Sequence, residues 1–109
     1  MSALSLQVNQ RIFAYIEDNV TLPCHTPLNA PVNWLFFESL TAEQFAVYHN
    51  GHVDKQYEHR LSVEVDSQAG YYNLSISNAQ LNDSGWHVCV ADEGIGQKYV
   101  LLLNVTGKH

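Results

Sequence analysis

The side chains of this chain that could do chemistry are two cysteines, six histidines and eleven acidic residues. Cys24 and Cys89 are either two buried thiols or one disulfide bridge. Nucleophilic catalysis needs a serine or cysteine held beside a base, and hydrolysis by paired carboxylates needs a cleft between them. The sequence indicates neither arrangement. We therefore predict that the protein is not an enzyme, has no catalytic residues and uses no cofactor.

Two histidines bracket a short turn in the segment His49-Asn50-Gly51-His52. Imidazoles at that spacing could share a metal ion. The remaining histidines are scattered along the chain, and the sequence offers no third ligand nearby. We interpret His49 and His52 as solvated loop residues and predict no metal site.

The charge balance restricts the classes of partner. The formal net charge is −6, with only five lysines and arginines, which argues against nucleic acid and against anionic lipid as partners. The longest apolar run, Tyr99–Leu103, has the length of a strand and not of a membrane span. The first residues lack the basic and apolar segments of a signal peptide. We expect the sequence to be a piece excised from a longer secreted or cell-surface protein.

The elements that must position these side chains are short. Apolar segments recur roughly every eight to twelve residues between turn signals, which predicts an all-β sandwich. We expect one domain spanning residues 1–109. The alternating apolar positions predict that Val20, Leu22, Cys24 and Trp34 face inward, and that later strands cover 88–91 and 98–105. The same pattern predicts strand residues at Val32, Phe36, Leu61, Val63, Val65, Tyr72, Leu74 and Ile76.

The middle of the chain leaves room for two additional strands. Asn50-Gly51 is a hairpin signal after the 45–48 strand. The distance from Trp34 to Arg60 accommodates strands around 44–49 and 53–57, giving about nine strands in two antiparallel sheets. A single helical turn is expected within 78–84.

Several motifs together resemble the V-set of the immunoglobulin superfamily over nearly the whole chain. They are Val20-Thr21-Leu22-Pro23-Cys24, Asn33-Trp34, Arg60-Leu61-Ser62-Val63, Leu74-Ser75-Ile76 and Asp83-Ser84-Gly85-Trp86-His87-Val88-Cys89. The resemblance implies a Cys24–Cys89 disulfide that joins the two sheets beside a core Trp34. It also implies an ion pair between Arg60 and Asp83 at the lower end of the sandwich.

The segment after Cys89 resembles a joining segment. Gly94-Ile95-Gly96 precedes a long apolar strand, as in antigen-receptor variable domains. The combination resembles the VJ-type receptors of invertebrate chordates, and fish immune-type receptors and butyrophilin-like domains are close alternatives. Two positions depart from the family pattern. His87 replaces the tyrosine of the tyrosine corner, where we expect it to be buried and hydrogen-bonded, and Glu93 replaces an aromatic residue. The loop between Cys89 and Gly94 is short, so capture of antigen by a long third loop is not expected.

Strand phase predicts an apolar patch on one sheet. Because Trp34 and Cys89 point inward, their neighbours on the same strands point outward. Outward apolar side chains of this number usually mark an interface. Tyr48 is expected to join them from the neighbouring strand over 44–49. The predicted partner interface comprises Leu35, Phe37, Tyr48, Trp86, Val88 and Val90.

Four N-glycosylation sequons are consistent with an oxidising, extracellular compartment. Their asparagines are Asn19, Asn73, Asn82 and Asn104.

These inferences predict the extracellular recognition domain of an immune-type cell-surface receptor. It would bind protein through the G-F-C-C′ face, as a homodimer or with a related immunoglobulin domain. A secreted or surface module recognising microbial glycans is an alternative, as is an adhesion domain. Leucine and valine dominate the predicted face, and this composition favours protein over sugar as the partner.

Overall fold

Two β-sheets pack face to face in the computed structural model, which describes residues 7–26, 31–91 and 98–107. A single 3-10 helical turn covers Leu81–Asp83, within the expected range. Strands in the described ranges are β1 Gln10–Tyr15, β2 Val20–Leu22, β3 Val32–Phe37, β4 Phe45–His49, β5 His52–Val53, β6 Leu61–Asp66, β7 Tyr71–Ile76, β8 Gly85–Ala91 and β9 Lys98–Thr106.

The larger sheet has the order β1-β9-β8-β3-β4-β5, and the smaller sheet has the order β2-β7-β6. Neighbouring strands are antiparallel except β1 and β9, which pair in parallel. This architecture confirms the predicted all-β sandwich with nine strands. We call the side of each sheet that faces away from the other sheet its outer face.

The core lies between the sheets and follows the alternation of each strand. Residues such as Leu101 and Leu103 point inward on β9, while Val100 and Leu102 point to the outer face. Burying a large aliphatic side chain contributes roughly 1.5–3 kcal/mol, so this inner layer stabilises the sandwich. The largest fully buried side chains are Trp34, Leu22, Leu74, Ile76, Leu101 and Leu103.

A disulfide joins the two sheets through the core. Cys24 follows β2 of the smaller sheet, and Cys89 lies in β8 of the larger one, 65 residues later. Trp34 is fully buried and lies directly beside Cys89 on the neighbouring strand. Its indole N–H donates to the backbone oxygen of Tyr72 at 2.9 Å, which fixes the ring between the sheets. The predicted bridge and the core position of Trp34 are confirmed.

Two strands differ from the expectation. The strand expected around 53–57 is present but shorter and starts one residue earlier, because β5 covers only His52–Val53 and turns follow to residue 60. There the Asp54 side chain accepts a bond from the backbone N–H of Gln56, and successive turn bonds join 54 to 57 and 57 to 60. These local bonds use backbone groups that a strand would need for a ladder. The patterns above do not predict β1.

Candidate functional site

An ion pair links the smaller sheet to the helical turn at one end of the sandwich. We call the end that holds this pair the lower end. The Arg60 guanidinium donates to both carboxylate oxygens of Asp83, at 2.9 and 3.0 Å. The Asp83 carboxylate also accepts the backbone N–H of Gln80 at 2.7 Å. Hydrogen bonding to Asp83 raises the pKa of Arg60 above its ordinary value. The predicted pair is confirmed, and its role here is structural.

His87 occupies the same corner of the fold. Its side chain is buried, and its Nε2 lies 2.8 Å from the backbone oxygen of Asp83. Because a carbonyl only accepts, Nε2 carries the proton and Nδ1 is left as an acceptor. Nδ1 has no hydrogen-bond partner in the described part of the chain. Burial disfavours the imidazolium ion and lowers the pKa of His87 to about 4. The predicted burial and hydrogen bond of His87 are confirmed.

Gly85 permits the close packing above this corner. Its φ is +143°, a conformation that side-chain-bearing residues rarely adopt. A Cβ atom there would lie 2.7 Å from the backbone oxygen of Phe37 and 3.1 Å from the ring of Phe36. The ring of Phe36 in turn packs against His87 with centroids 4.8 Å apart. The turn into β8 therefore requires glycine.

The outer face of the larger sheet carries a second apolar cluster, separate from the core. We call it the outer-face cluster. The rings of Phe37 and Trp86 stack in parallel with centroids 5.9 Å apart, an arrangement that aromatic pairs favour when offset. The cluster comprises buried Phe37, Val88, Val90 and Val100, with half-buried Leu35, Leu40 and Trp86 packed against them.

The predicted interface needs two corrections. Tyr48 does not belong to it: a register shift in the β3–β4 pairing places Tyr48 opposite Trp34, so its side chain points into the core. Burial there raises the pKa of Tyr48. The second correction concerns exposure. Phe37, Val88 and Val90 lie on the predicted face but are buried within the single chain, because neighbouring cluster side chains pack over them.

Sequence reasoning missed several outward apolar residues of the larger sheet. Val100 and Leu102 alternate with inward Leu101 and Leu103, and this alternation was a usable signal. Leu40 lies in a turn after β3, where no strand period can reveal its direction.

The four sequon asparagines have different surroundings. Asn19, Asn82 and Asn104 are exposed, and Asn73 is half-buried. The Asn73 side-chain oxygen accepts the backbone N–H of Cys24 at 3.0 Å. The side-chain oxygen of Asn19 accepts the backbone N–H of Asn78 at 3.2 Å. Only one of the four, Asn104, lies on the outer face of the larger sheet.

Some predicted features lie elsewhere or outside the described residues. Glu93, Gly94 and Gly96 fall in a segment that is not described, so the joining-segment motif remains a sequence prediction. His49 and His52 face each other across the β4–β5 turn. In the described ranges no group of three or more metal-binding side chains occurs. The same ranges contain no helix long and apolar enough to span a membrane.

These features define a disulfide-bridged, variable-type β-sandwich. Comparison with known proteins agrees. The family profile described as the immunoglobulin V-set domain matches residues 7–106. The fold is similar to the first immunoglobulin domain of the mouse polymeric immunoglobulin receptor, with a TM-score of 0.74, 18% identity and coverage of 91% of each chain. No curated protein sequence matches the chain.

The chain belongs to the immunoglobulin V-set family. Domains of this family act in recognition and protein–protein interaction, and they are typically not enzymes. Together with the disulfide, the family indicates an extracellular domain. The 18% identity to the receptor domain shows a shared fold alone.

Proposed function

We propose that this domain is the recognition domain of an immune-type cell-surface receptor and binds protein through the outer face of its larger sheet. The partner is a second copy of the domain or a related immunoglobulin domain. The sequons fit a surface glycoprotein, and the Gly94-Ile95-Gly96 segment supports a receptor with a joining-type strand. The outer-face cluster is the observation that carries the proposal.

The chemistry of this face favours a protein partner. Leu35, Leu40 and Trp86 are half-buried and stand over a closed apolar layer. That layer needs no partner for its own stability, so the sheet surface is already rigid before binding. A preorganised apolar surface with an aromatic anchor is the arrangement that protein interfaces use.

Homotypic pairing would use this one face twice. A two-fold dimer brings the same patch of both copies together, and about 800 Å² per partner is typical of a specific complex. Each copy carries a net charge of −6, and exposed Glu38 lies at the lower rim. Salt screens repulsion between like charges. Pairing through this apolar face should therefore strengthen as salt rises from about 0.05 M to 0.5 M.

The test is the concentration dependence of the domain's mass by sedimentation. Wild type should associate at tens of micromolar, and Leu35→Glu should give a folded monomer because it places a charge at the centre of the face. Ser62→Glu adds the same charge to the outer face of the smaller sheet and should leave association unchanged. A monomeric wild type would rule out the homodimer. Binding to a related immunoglobulin domain should then show the same dependence on Leu35 and not on Ser62.

A further inference from the structure

The lower corner of the larger sheet combines an exposed aromatic ring with a sequon. Phe13 in β1 is 72% exposed, the highest value among the large apolar side chains of the described residues. It pairs in register with Asn104 of β9, so the two side chains leave the same face on adjacent strands. Adjacent strands lie about 4.8 Å apart. Asn104 and Thr106, the two recognition positions of the sequon, are both exposed.

A shallow groove of about 260 Å³ extends from this pair. Phe13, Trp86 and Leu102 supply its apolar surface, and Arg11 and Glu38 supply polar groups. Asn104 lines the same groove. A sugar attached to the amide of Asn104 would therefore enter a groove with an apolar surface and hydrogen-bonding groups beside it.

We propose that Asn104 carries an N-linked glycan whose first N-acetylglucosamine packs against the ring of Phe13. The proposal rests on the extracellular setting of the proposed function. In the modification, Nδ2 of Asn104 bonds to C1 of the first sugar of a lipid-linked oligosaccharide. The sugar–oxygen bond to the lipid diphosphate breaks, the diphosphate leaves with the bonding electrons, and Nδ2 loses one proton.

The chemistry of both partners supports the contact. One face of an N-acetylglucosamine ring presents C–H groups, while its hydroxyl and amide groups lie at the edges. The face of a phenyl ring is electron-rich and attracts such polarised C–H groups. An exposed phenylalanine beside a sequon is covered in this way without a protein partner, which accounts for the high exposure of Phe13 in the bare chain.

The other sequons lack this combination. Tyr71 lies two residues before Asn73 on the smaller sheet, but its ring already packs against His25 with centroids 4.5 Å apart. In the third sequon the Ser84 hydroxyl accepts the backbone N–H of Val105 at 2.9 Å. In the described residues, only Asn104 has an exposed aromatic ring directly opposite it.

The glycan would set the lower boundary of the partner face. Asn104 lies near the end of β9, whereas Val88, Val100 and Leu35 form a row further up the sheet. A partner would bind that upper row. It would reach Trp86 only from the side of the Val88 row, because the glycan occupies the other side. The glycan thus restricts the geometry of the proposed interaction.

The experiment starts with protein secreted from a eukaryotic cell line. Enzymatic release of N-glycans in heavy-oxygen water marks each formerly occupied asparagine by mass, and Asn104 should be marked. Thermal unfolding is then compared for glycosylated wild type, Phe13→Ala, Asn104→Gln and the double variant. Phe13→Ala should lower Tm by about 3–5 °C when Asn104 is glycosylated. It should change Tm by less than about 1 °C in the Asn104→Gln background.

Two further variants control the comparison. Thr106→Val removes the sequon while keeping Asn104, and it should abolish the effect of Phe13→Ala as Asn104→Gln does. Tyr71→Ala removes an exposed ring from the other sheet, and its effect should be the same in both backgrounds. An unmarked Asn104 in secreted protein overturns the proposal. Equal effects of Phe13→Ala in both backgrounds also overturn it and leave Phe13 available to a protein partner. The mass readout does not depend on association, and thermal unfolding at about 1 μM, well below the expected association range, keeps partner binding out of the Tm comparison. This proposal and partner binding can therefore fail separately.

Discussion

The outer faces of the two sheets differ, although both sheets contribute to one core. On the smaller sheet, the outer row across β2, β7 and β6 is Thr21, Ser75 and Ser62, and the next row pairs Asn73 with Glu64. On the larger sheet, one outer row is Leu102, Trp86 and Phe37, and the next is Val100, Val88 and Leu35.

This difference separates stability from recognition. A sandwich needs its inner rows to be apolar, and both sheets meet that requirement. Nothing in the packing of the core requires apolar residues on an outer face. The smaller sheet has the polar outer face expected of a sheet in water, whereas the larger sheet buries a second apolar layer. The extra layer is therefore the feature that points to a partner.

The largest expected effect comes from removing the bridge between the two sheets. The variant Cys24→Ala/Cys89→Ala should lose about 4 kcal/mol of unfolding free energy, because the disulfide closes a long loop in the unfolded chain. Urea unfolding followed by tryptophan fluorescence measures the change. Without the bridge, the polar and apolar outer faces should be present only in the fraction of molecules that remains folded.

The control for this prediction is thiol titration of unfolded, unreduced wild type. No free thiol should be found. Two titratable thiols, or equal urea midpoints for wild type and the variant, would contradict the prediction.

The second effect is destabilisation of the fold by acid through His87, a buried residue of β8 in the larger sheet. Its pKa is about 4 when folded and about 6.5 when unfolded, so the unfolded chain takes up a proton first as pH falls. Stability is therefore full above the unfolded value and decreases from pH 6.5 to pH 4. At about 1.4 kcal/mol per unit, the loss is on the order of 3 kcal/mol. Urea midpoints between pH 7 and pH 4 measure it.

The control for His87 is a tyrosine, the residue that the V-set pattern places there. His87→Tyr does not titrate in this range, so its midpoint should decrease less with acid. The same acid response in both proteins would show that other groups cause the sensitivity.

The third effect concerns the Arg60–Asp83 ion pair, which links the smaller sheet to the helical turn. The Arg60 and Asp83 side chains are 21% and 12% exposed, so the pair lies between surface and buried cases. Asp83→Asn should cost about 2 kcal/mol, and a double-mutant cycle with Arg60→Gln should assign about half of that to the pair. Glu64→Gln removes an equal charge from the smaller sheet's outer face and should have little effect. No coupling in the cycle would mean that the pair adds nothing.

The smallest effect tests the comparison itself. Val88 is 4% exposed on the outer face of the larger sheet, and Val88→Thr would bury a hydroxyl there, at a cost of about 1 kcal/mol. The reverse change on the other sheet, Ser62→Val, should alter stability by less than about 0.5 kcal/mol. Chemical denaturation of both variants measures the difference. Equal effects would mean that the two faces are not energetically distinct.

The sequence predicted the features that depend on strand phase and family spacing. Cys24, Trp34 and Cys89 lie where alternation and the V-set resemblance placed them, and Arg60 meets Asp83. Local patterns also located the helical turn after β7. In these features, the direction of each side chain is set by the strand that contains the residue or adjoins it in the sequence.

Other features depended on tertiary context. Tyr48 was misplaced because a bulge shifts the register by one residue, and such a shift reverses the direction of a side chain. Phe37 and Val88 are buried in a cluster against which Leu40, from a turn after β3, also packs. Strand β1 is on the edge and pairs with residues about ninety positions later, so a local pattern gives little sign of it.

The parallel pairing of β1 with β9 also has a mechanical consequence. The two strands run side by side in register from Gln10 with Leu101 to Tyr15 with Thr106. A pull on the chain before β1 and after β9 acts at opposite ends of this pair and along its length. The hydrogen bonds between the strands would then be loaded together in shear and would not open one after another. Tension applied in this way would meet the β1–β9 pair first, before it reached the disulfide-bridged core.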